Sequence, residues 1–314
     1  MKCSEIEAEK KMTTVSVCML GHNVRPYLEE SLPIVKRQQG FEHVEILFAD
    51  NESEDGSGDV AAEHGAQVVF VPDEEFHHAL TRRMLTEKAS GEFVCMLVGD
   101  ATPCDEFWLT RLIEPLQNDP LVRMCFSRWL PRSDAPPVEM FDIIIAFPPK
   151  SAEAFIPRDD AIANAEFQKD PFPYIHSSNV SSAYRREQFL EIPFTKETAI
   201  CEDQFAAHWF LRQQFKVRYC ALSRVYHSHN EPPSAQRRRI RKCAAGVMHV
   251  CDVPVPSSSS LFRAIASSFL GAFGILRYAG VPWTKFWNVF TSRLARKMGE
   301  RDAVRAAKRG AKKP

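Results

Sequence analysis

Four places in this 314-residue chain carry side chains that could do chemistry together: Asp50, Asp100, the pair Glu202-Asp203, and the pair His227 and His229. All fall at the ends of predicted strands, and in open α/β sheets ligands bind outside the carboxyl ends of the strands. Each has a plainer reading alone. An Asp after a strand is commonly a turn former, an acidic pair before a helix caps its positive end, and a His pair is often structural. Together they suit the displacement of a nucleoside diphosphate from a sugar. The departing diphosphate develops negative charge, which a divalent cation and basic groups offset. A hard cation such as Mg2+ or Mn2+ takes oxygen ligands, so Asp100 is the candidate ligand, with His227 or His229 beside it. The attacking hydroxyl needs a base within hydrogen-bond reach, a role for Asp203, with Glu202 supporting the base or orienting the acceptor. A nucleobase needs a polar reader, and Asp50 can accept its N–H.

These residues need a scaffold that delivers strand ends to one rim. Thr13–Leu20 is β-branched and apolar and reads as a buried strand; Gly21-His22-Asn23 follows as a turn, with Asn23 expected to cap a helix over Val24–Gln39 that Pro33 kinks or splits. Val44–Ala49 is a second strand, ending in the polar loop Asp50–Gly58, and a helix near Asp59–His64 leads to a third strand, Gln67–Val71. Phe76–Ser90 has helical periodicity and Gly91 ends it. Phe93–Val98 is the next strand, then a helix over Asp105–Leu116 and a strand over Leu121–Phe126. Alternation of this kind predicts β-α-β units on a parallel sheet. Eight prolines between Pro131 and Pro173 make residues 127–175 an expected irregular excursion over the site. Strand-like residues return at Tyr174–Arg186, a helix at Gln204–Gln214, and two short strands at Lys216–Cys220 and Arg224–Tyr226.

Two segments, T-V-S-V-C-M-L-G-H-N-V-R-P-Y-L-E-E-S-L and I-L-F-A-D-N-E-S-E-D-G-S, resemble the opening of the family-2 glycosyltransferases, and the spacing to V-G-D-A and C-E-D-Q matches as well. Within that family, F-H-H-A-L-T-R-R, L-V-G-D-A-T-P and V-Y-H-S-H-N are similar to segments of bacterial dTDP-rhamnosyltransferases. The resemblance covers about residues 14–230. It implies an α/β GT-A (Rossmann-like) fold with a mostly parallel sheet flanked by helices. It further implies an inverting transferase that moves a sugar, L-rhamnose from dTDP-rhamnose, to a hydroxyl of a polysaccharide or lipid-linked glycan. Carried over, it places Gly21, Asn23, Asp50, Ser53, His78, Arg82, Gly99 and Asp100 at the nucleotide-sugar donor, with His78 and Arg82 near its diphosphate. It departs from the family at Val98, where the first carboxylate of D-x-D is usual, and at Gly99, where the rhamnosyl subgroup has Gln. Ala79 and Leu80 replace two glycines, which narrows the room for a backbone approach to the donor, and Arg83 replaces an Asn.

Charge is zero overall but unevenly placed. Residues 232–314 carry 17 Lys and Arg against three acidic residues, and the rest of the chain balances that excess. A basic tail suggests an anionic partner. Its helical candidates, Arg237–His249 and Ser260–Met298, interleave Trp and Phe with basic residues, as helices lying in a membrane interface do. The expected organisation is a leader at 1–12, a catalytic domain at 13–231 and a basic helical extension at 232–314, with the tetraserine Ser257–Ser260 as a linker. The longest uncharged apolar-rich run, Ala264–Leu276, is short of the ~20 residues a bilayer span needs. Nine Cys without C-x-x-C, several inside apolar runs, fit buried thiols in a reducing cytoplasm. The expected location is therefore cytoplasmic, either free or peripheral on the cytoplasmic face of the inner membrane, the alternative for the aromatic face being that it packs on the enzyme body or on a second subunit. Two rival readings stay open: a UDP-hexose or N-acetylhexosamine transferase on the same scaffold, and a non-catalytic module for anionic surfaces. No nucleic-acid-binding motif accompanies the basic cluster at 237–242, so no nucleic acid partner is expected.

Overall fold

Alternation along the first strand decides how the sheet is buried. In β1 (Val15–Gly21), Val15, Val17 and Met19 enter one apolar core while Cys18 and Leu20 enter another. The same split recurs in β2 (Val44–Asp50) and in β4 (Phe93–Val98), where Phe93, Cys95 and Leu97 oppose Val94 and Met96. A sheet apolar on both faces must be covered on both faces. On one side α1 (Arg25–Lys36), α2 (Ser57–Glu63) and α4 (Trp108–Asn118) contribute Leu28, Leu32, Val60, Trp108 and Leu112. On the other, α3 (His78–Lys88), α7 (Arg186–Glu191) and α8 (Glu202–Arg212) contribute Leu85, Phe189 and Phe210.

This computed structural model describes residues 14–198, 201–251, 261–278 and 282–310. The expected leader, residues 1–12, and the tetraserine linker lie outside the described residues. The remaining strands are β3 (Gln67–Phe70), β5 (Thr102–Pro103), β6 (Val122–Leu130), β7 (Ala152–Ala154), β8 (Ser181–Arg185) and β9 (Lys216–Tyr226). The sheet order is β3-β2-β1-β4-β8-β6-β9-β5, with β7 also on β9. The longer ladders, β1/β2, β1/β4 and β6/β9, are parallel, as expected, while β8 runs antiparallel between β4 and β6. The parallel register puts Gly21 beside Asp50 and Leu20 beside Val98, so the β1, β2 and β4 ends form one rim.

Several expectations need correction. Residues 127–175 are not irregular. β6 runs on to Leu130, and α5 (Pro137–Ala146), β7 and α6 (Ala161–Lys169) follow. The prolines mark element edges rather than gaps: Pro137 occupies the first turn of α5, where its missing N–H costs nothing. Asn23 does not cap α1. It sits at φ 53°, and its Oδ1 accepts from the Glu54 N–H at 2.9 Å across the cleft rim. Pro33 lies inside an unbroken α1. The two short strands after Lys216 are one strand, β9, which the β6 ladder follows through a register shift.

Beyond β9 the chain forms α9 (Pro233–Cys251), α10 (Leu261–Tyr278) and α11 (Phe286–Gly310). α9 packs along α11 and against α8, and α10 and α11 pack on α5. Gly299 permits a close approach of α11 to α9, since a Cβ there would lie 2.6 Å from the Arg237 carbonyl oxygen. Arg296 binds Glu139 and, at 2.8 Å, Asp142, while Arg237 binds Asp302 at 2.6 Å. No described helix is long and apolar enough to cross a membrane.

Candidate active site

The rim opens into a cleft of about 460 Å³. On its wall are Gly21, His78, Arg82, Gly99, Asp100, Glu202, Asp203, His227 and His229. Residues from five separate stretches of sequence thus meet at one place. Gly21 and Gly99 lie side by side at the ends of β1 and β4, under Val24. A Cβ on Gly21 would sit 2.4 Å from Val24 Cγ2, and one on Gly99 2.7 Å from the same atom. The Gly at position 99 therefore goes with the Val at position 24. Three expected donor residues are not on the wall. Asp50, Asn23 and Ser53 knit the loop behind it: the Ser53 N–H donates to Asp50 Oδ1 at 3.1 Å, and the Asn23 N–H donates to Ser53 Oγ at 2.9 Å. Asn51, next to Asp50, lines the cleft, and its Oδ1 is buried without a hydrogen-bond partner.

Asp100, His227 and His229 offer one oxygen and two ring nitrogens that all lie within 4.8 Å of one another. His227 Nδ1 is 3.4 Å from Asp100 Oδ1, and the two imidazoles meet edge to face at 4.7 Å. Trp129, stacked on Phe147, closes over His227 and leaves it 2% exposed. That burial pushes the His227 pKa down to about 4, against the opposing pull of Asp100, so its ring is neutral near pH 7. The turn that carries Asp100 is held by Arg132, whose Nη2 donates to the Asp100 carbonyl at 3.2 Å and to Thr102 Oγ1 at 2.7 Å. The same segment anchors the histidines, because the His227 N–H donates to the Leu130 carbonyl and the Arg132 N–H to Ser228 Oγ.

On another part of the wall, Glu202 and Asp203 occupy the first turn of α8. They behave differently. Glu202 is paired with Arg82 at 3.0 Å, with side chains 6% and 3% exposed, and accepts from Asn179 Nδ2 at 3.2 Å. Arg82 also donates to the carbonyls of His78 and Asn179. Asp203 accepts from the Asn179 and Gln204 N–H groups, at 3.3 and 2.8 Å. Burial, with the Glu202 charge beside it, raises the Asp203 carboxyl from 3.8 to about 7. Asn179 is fixed in turn, its Oδ1 accepting from Ser182 Oγ and Tyr184 Oη at 2.6 Å each.

The family departures on α3 lie away from the cleft. Ala79 is fully buried in the core and Leu80 packs against it, so neither narrows the wall; Arg83 donates to the Leu190 and Ile192 carbonyls at the end of α7. Sequence reasoning missed Asn179, Trp129, Arg132 and Arg239. The first sits in a Ser-Ser-Asn run that reads as strand, the next two in the proline-rich stretch, and Arg239 in a basic cluster that reads as tail.

Residues 16–179, just over half of the chain, match the family model described as Glycosyl transferase family 2. The chain is 28% identical over 210 residues to the O-antigen chain rhamnosyltransferase WbaN of Salmonella anatum, which covers 66% of this chain and 63% of that protein. It is also 28% identical over 218 residues to the rhamnosyltransferase RfbN of Salmonella typhimurium, covering 68% and 66%. The match thus spans less than two thirds of either relative's own length. The fold resembles the mannosyltransferase PcManGT of Pyrobaculum calidifontis, solved with GDP-Man and Mn2+, at TM-score 0.53 and 15% identity over 97% of this chain and 77% of that one. It also resembles glucosyl-3-phosphoglycerate synthase of Mycobacterium tuberculosis, solved with Mn2+, UDP-glucose and phosphoglyceric acid, at TM-score 0.54 and 14% identity over 79% and 83%. The sheet and its flanking helices are the GT-A arrangement, and with the family match over its parallel half the chain belongs to glycosyl transferase family 2.

Proposed function

We propose that this chain is an inverting glycosyltransferase that moves a sugar from a nucleoside diphosphate to an acceptor hydroxyl. The observation that carries the reading is the meeting, in one cleft, of the Asp100–His227–His229 cluster with a carboxylate whose pKa is near 7. The acceptor oxygen attacks the anomeric carbon, the bond from that carbon to the diphosphate oxygen breaks, and Asp203 takes the hydroxyl proton. A base with a pKa near the working pH is the efficient choice. Glu202 serves as the counter-ion that holds Arg82 and keeps the Asp203 pKa high, which makes it a positioning residue.

The cluster fits a divalent cation, and because it joins one carboxylate to two imidazoles it suits Mn2+ better than Mg2+; the buried Nδ1 of His227 has no hydrogen-bond partner. When bound, such an ion offsets charge on the departing diphosphate. The two rhamnosyltransferase relatives favour dTDP-L-rhamnose as donor and a polysaccharide or lipid-linked glycan as acceptor. The catalytic part is then residues 13–231 and the extension residues 232–314. Phe269, Leu270, Phe273, Trp283 and Trp287, between 44% and 70% exposed, give that extension an apolar face suited to the membrane surface where a lipid-linked acceptor resides.

The test is a titration of dTDP-, UDP- and GDP-sugars with and without Mn2+, followed by transfer assays on the donor that binds. Binding of one nucleotide class and loss of transfer in Asp203→Asn with donor binding retained support the reading. Near-normal turnover in that variant refutes the base assignment, and failure of all three donors to bind refutes the function. Vesicle flotation of Trp283→Ser/Trp287→Ser checks the membrane face: unchanged flotation rules it out.

A further inference from the structure

We propose that the C-terminal extension completes the donor site, with the guanidinium of Arg239 on α9 taking oxygens of the nucleoside diphosphate. This rests on the cleft being a nucleotide-sugar site.

Two permanent cations stand on the cleft wall, Arg82 and Arg239. Arg82 is committed. Its charge is offset by Glu202, and its Nη1 and Nη2 donate to two carbonyls as well. It is a strut between α3, α8 and the turn before β8, with little left to offer a ligand. Arg239 is held differently. Its Nε donates to Glu231 Oε2 at 2.9 Å, and Glu231 is not on the cleft wall. That bond fixes the plane of the guanidinium and leaves Nη2 buried with no hydrogen-bond partner. A buried donor without an acceptor carries an uncompensated desolvation cost, and an incoming phosphate oxygen would remove it. The planar fork of Arg suits phosphate bidentately, unlike the point charge of Lys.

Charge and connectivity agree. The wall carries three carboxylates, Asp100, Glu202 and Asp203, so a diphosphate entering it needs a cation with donors to spare; Arg239 is ion-paired with Glu231 through Nε, and its Nη2 is the donor left over. The segment that supplies His227 and His229 runs on through Pro232 into α9, whose first turn begins at Pro233. The cation cluster and Arg239 therefore lie on one continuous stretch, and they can grip the two ends of one diphosphate. α9 is seated by α11 and α8, which makes the extension part of the site rather than a detachable tail.

The experiment compares dTDP with dTMP (and UDP with UMP, GDP with GMP) by calorimetric titration of the full chain, in chelator and in Mn2+. The wild-type protein is expected to prefer the diphosphate. In Arg239→Met that preference falls by roughly 10- to 100-fold, while monophosphate binding changes little; Arg239→Lys restores only part of it. If wild type prefers the diphosphate and Arg239→Met keeps the same ratio, the inference is overturned and the site reading stands. If the wild-type protein binds none of these nucleotides, both fall. Should Arg239→Met not fold, Glu231→Gln gives the same readout. It keeps an acceptor oxygen for Nε but removes the carboxylate that competes with the diphosphate for Arg239, so the ratio is expected to rise, and an unchanged ratio there overturns the inference.

Discussion

Asp203→Asn should stabilise the protein at alkaline pH while abolishing transfer. The carboxyl rises from 3.8 to about 7 on folding, chiefly through burial and then the Glu202 charge. At about 1.4 kcal/mol per pH unit, that rise corresponds to about 4 kcal/mol of strain carried by the ionised form. The sign follows from proton linkage. Between 3.8 and 7 the folded state holds a proton that the unfolded state releases, so this group's contribution falls as pH rises through that window and is fully lost above 7. Asn removes the charge but keeps only one acceptor oxygen for the Asn179 and Gln204 N–H groups. One lost hydrogen bond returns about 1 kcal/mol. The net expectation is a gain of about 2–3 kcal/mol at pH 8 and a small loss at pH 4, read from urea midpoints at each pH. If the variant is no more stable at pH 8 than at pH 4, relative to wild type, Asp203 is not a strained carboxylate and its selection as base loses its physical ground. The same pKa sets the rate profile: kcat/KM should climb with pH to a plateau above about 7.

Glu202→Gln strands Arg82 as a buried, uncompensated cation and should cost about 3–5 kcal/mol in denaturant melts; it also removes a charge that raises Asp203, so the midpoint of the rate profile should move to lower pH. Gly99→Ala presses its methyl against Val24 and the Leu20 carbonyl, for an expected loss of about 1–3 kcal/mol, and a cycle with Val24→Ala should recover most of it. His229→Ala should weaken Mn2+ binding by roughly tenfold or more in calorimetry with little change in melting, since His229 is only partly buried.

The half of the fold that local pattern governs was legible. Val15–Gly21, Val44–Asp50 and Phe93–Val98 are apolar runs closed by polar turns, and their ends meet because parallel pairing of adjacent strands leaves no other arrangement for the rim. What stayed hidden depends on partners far away in sequence. Asn23 has the residue type of a helix cap, yet its side chain bonds a backbone group 31 residues on. Arg82 and Glu202 were separable in sequence as a diphosphate ligand and a support for the base; only the fold joins them into one buried pair. The prolines between 131 and 173 look like breaks because their identity fixes φ and removes a donor, but those properties equally suit the first turn of a helix, as at Pro137. Trp129 and Arg132, which shape the cation cluster, were lost with that misreading.

The uneven charge has a similar lesson. A tail with seventeen basic residues invites an external anion, but part of the answer is internal. Arg296 reaches Glu139 and Asp142 on α5, Arg237 reaches Asp302 on α11, and Arg239 reaches Glu231 in the segment before α9. Of two residues in one basic cluster, Arg237 thus pairs with another helix while Arg239 lines the cleft. The phase of α9 on the body makes that division, and phase is set by where the helix lands, which spacing alone does not encode. Part of the basic charge of the extension is therefore answered by acidic groups of the same molecule, while Arg238, Arg241 and Lys242 stay exposed.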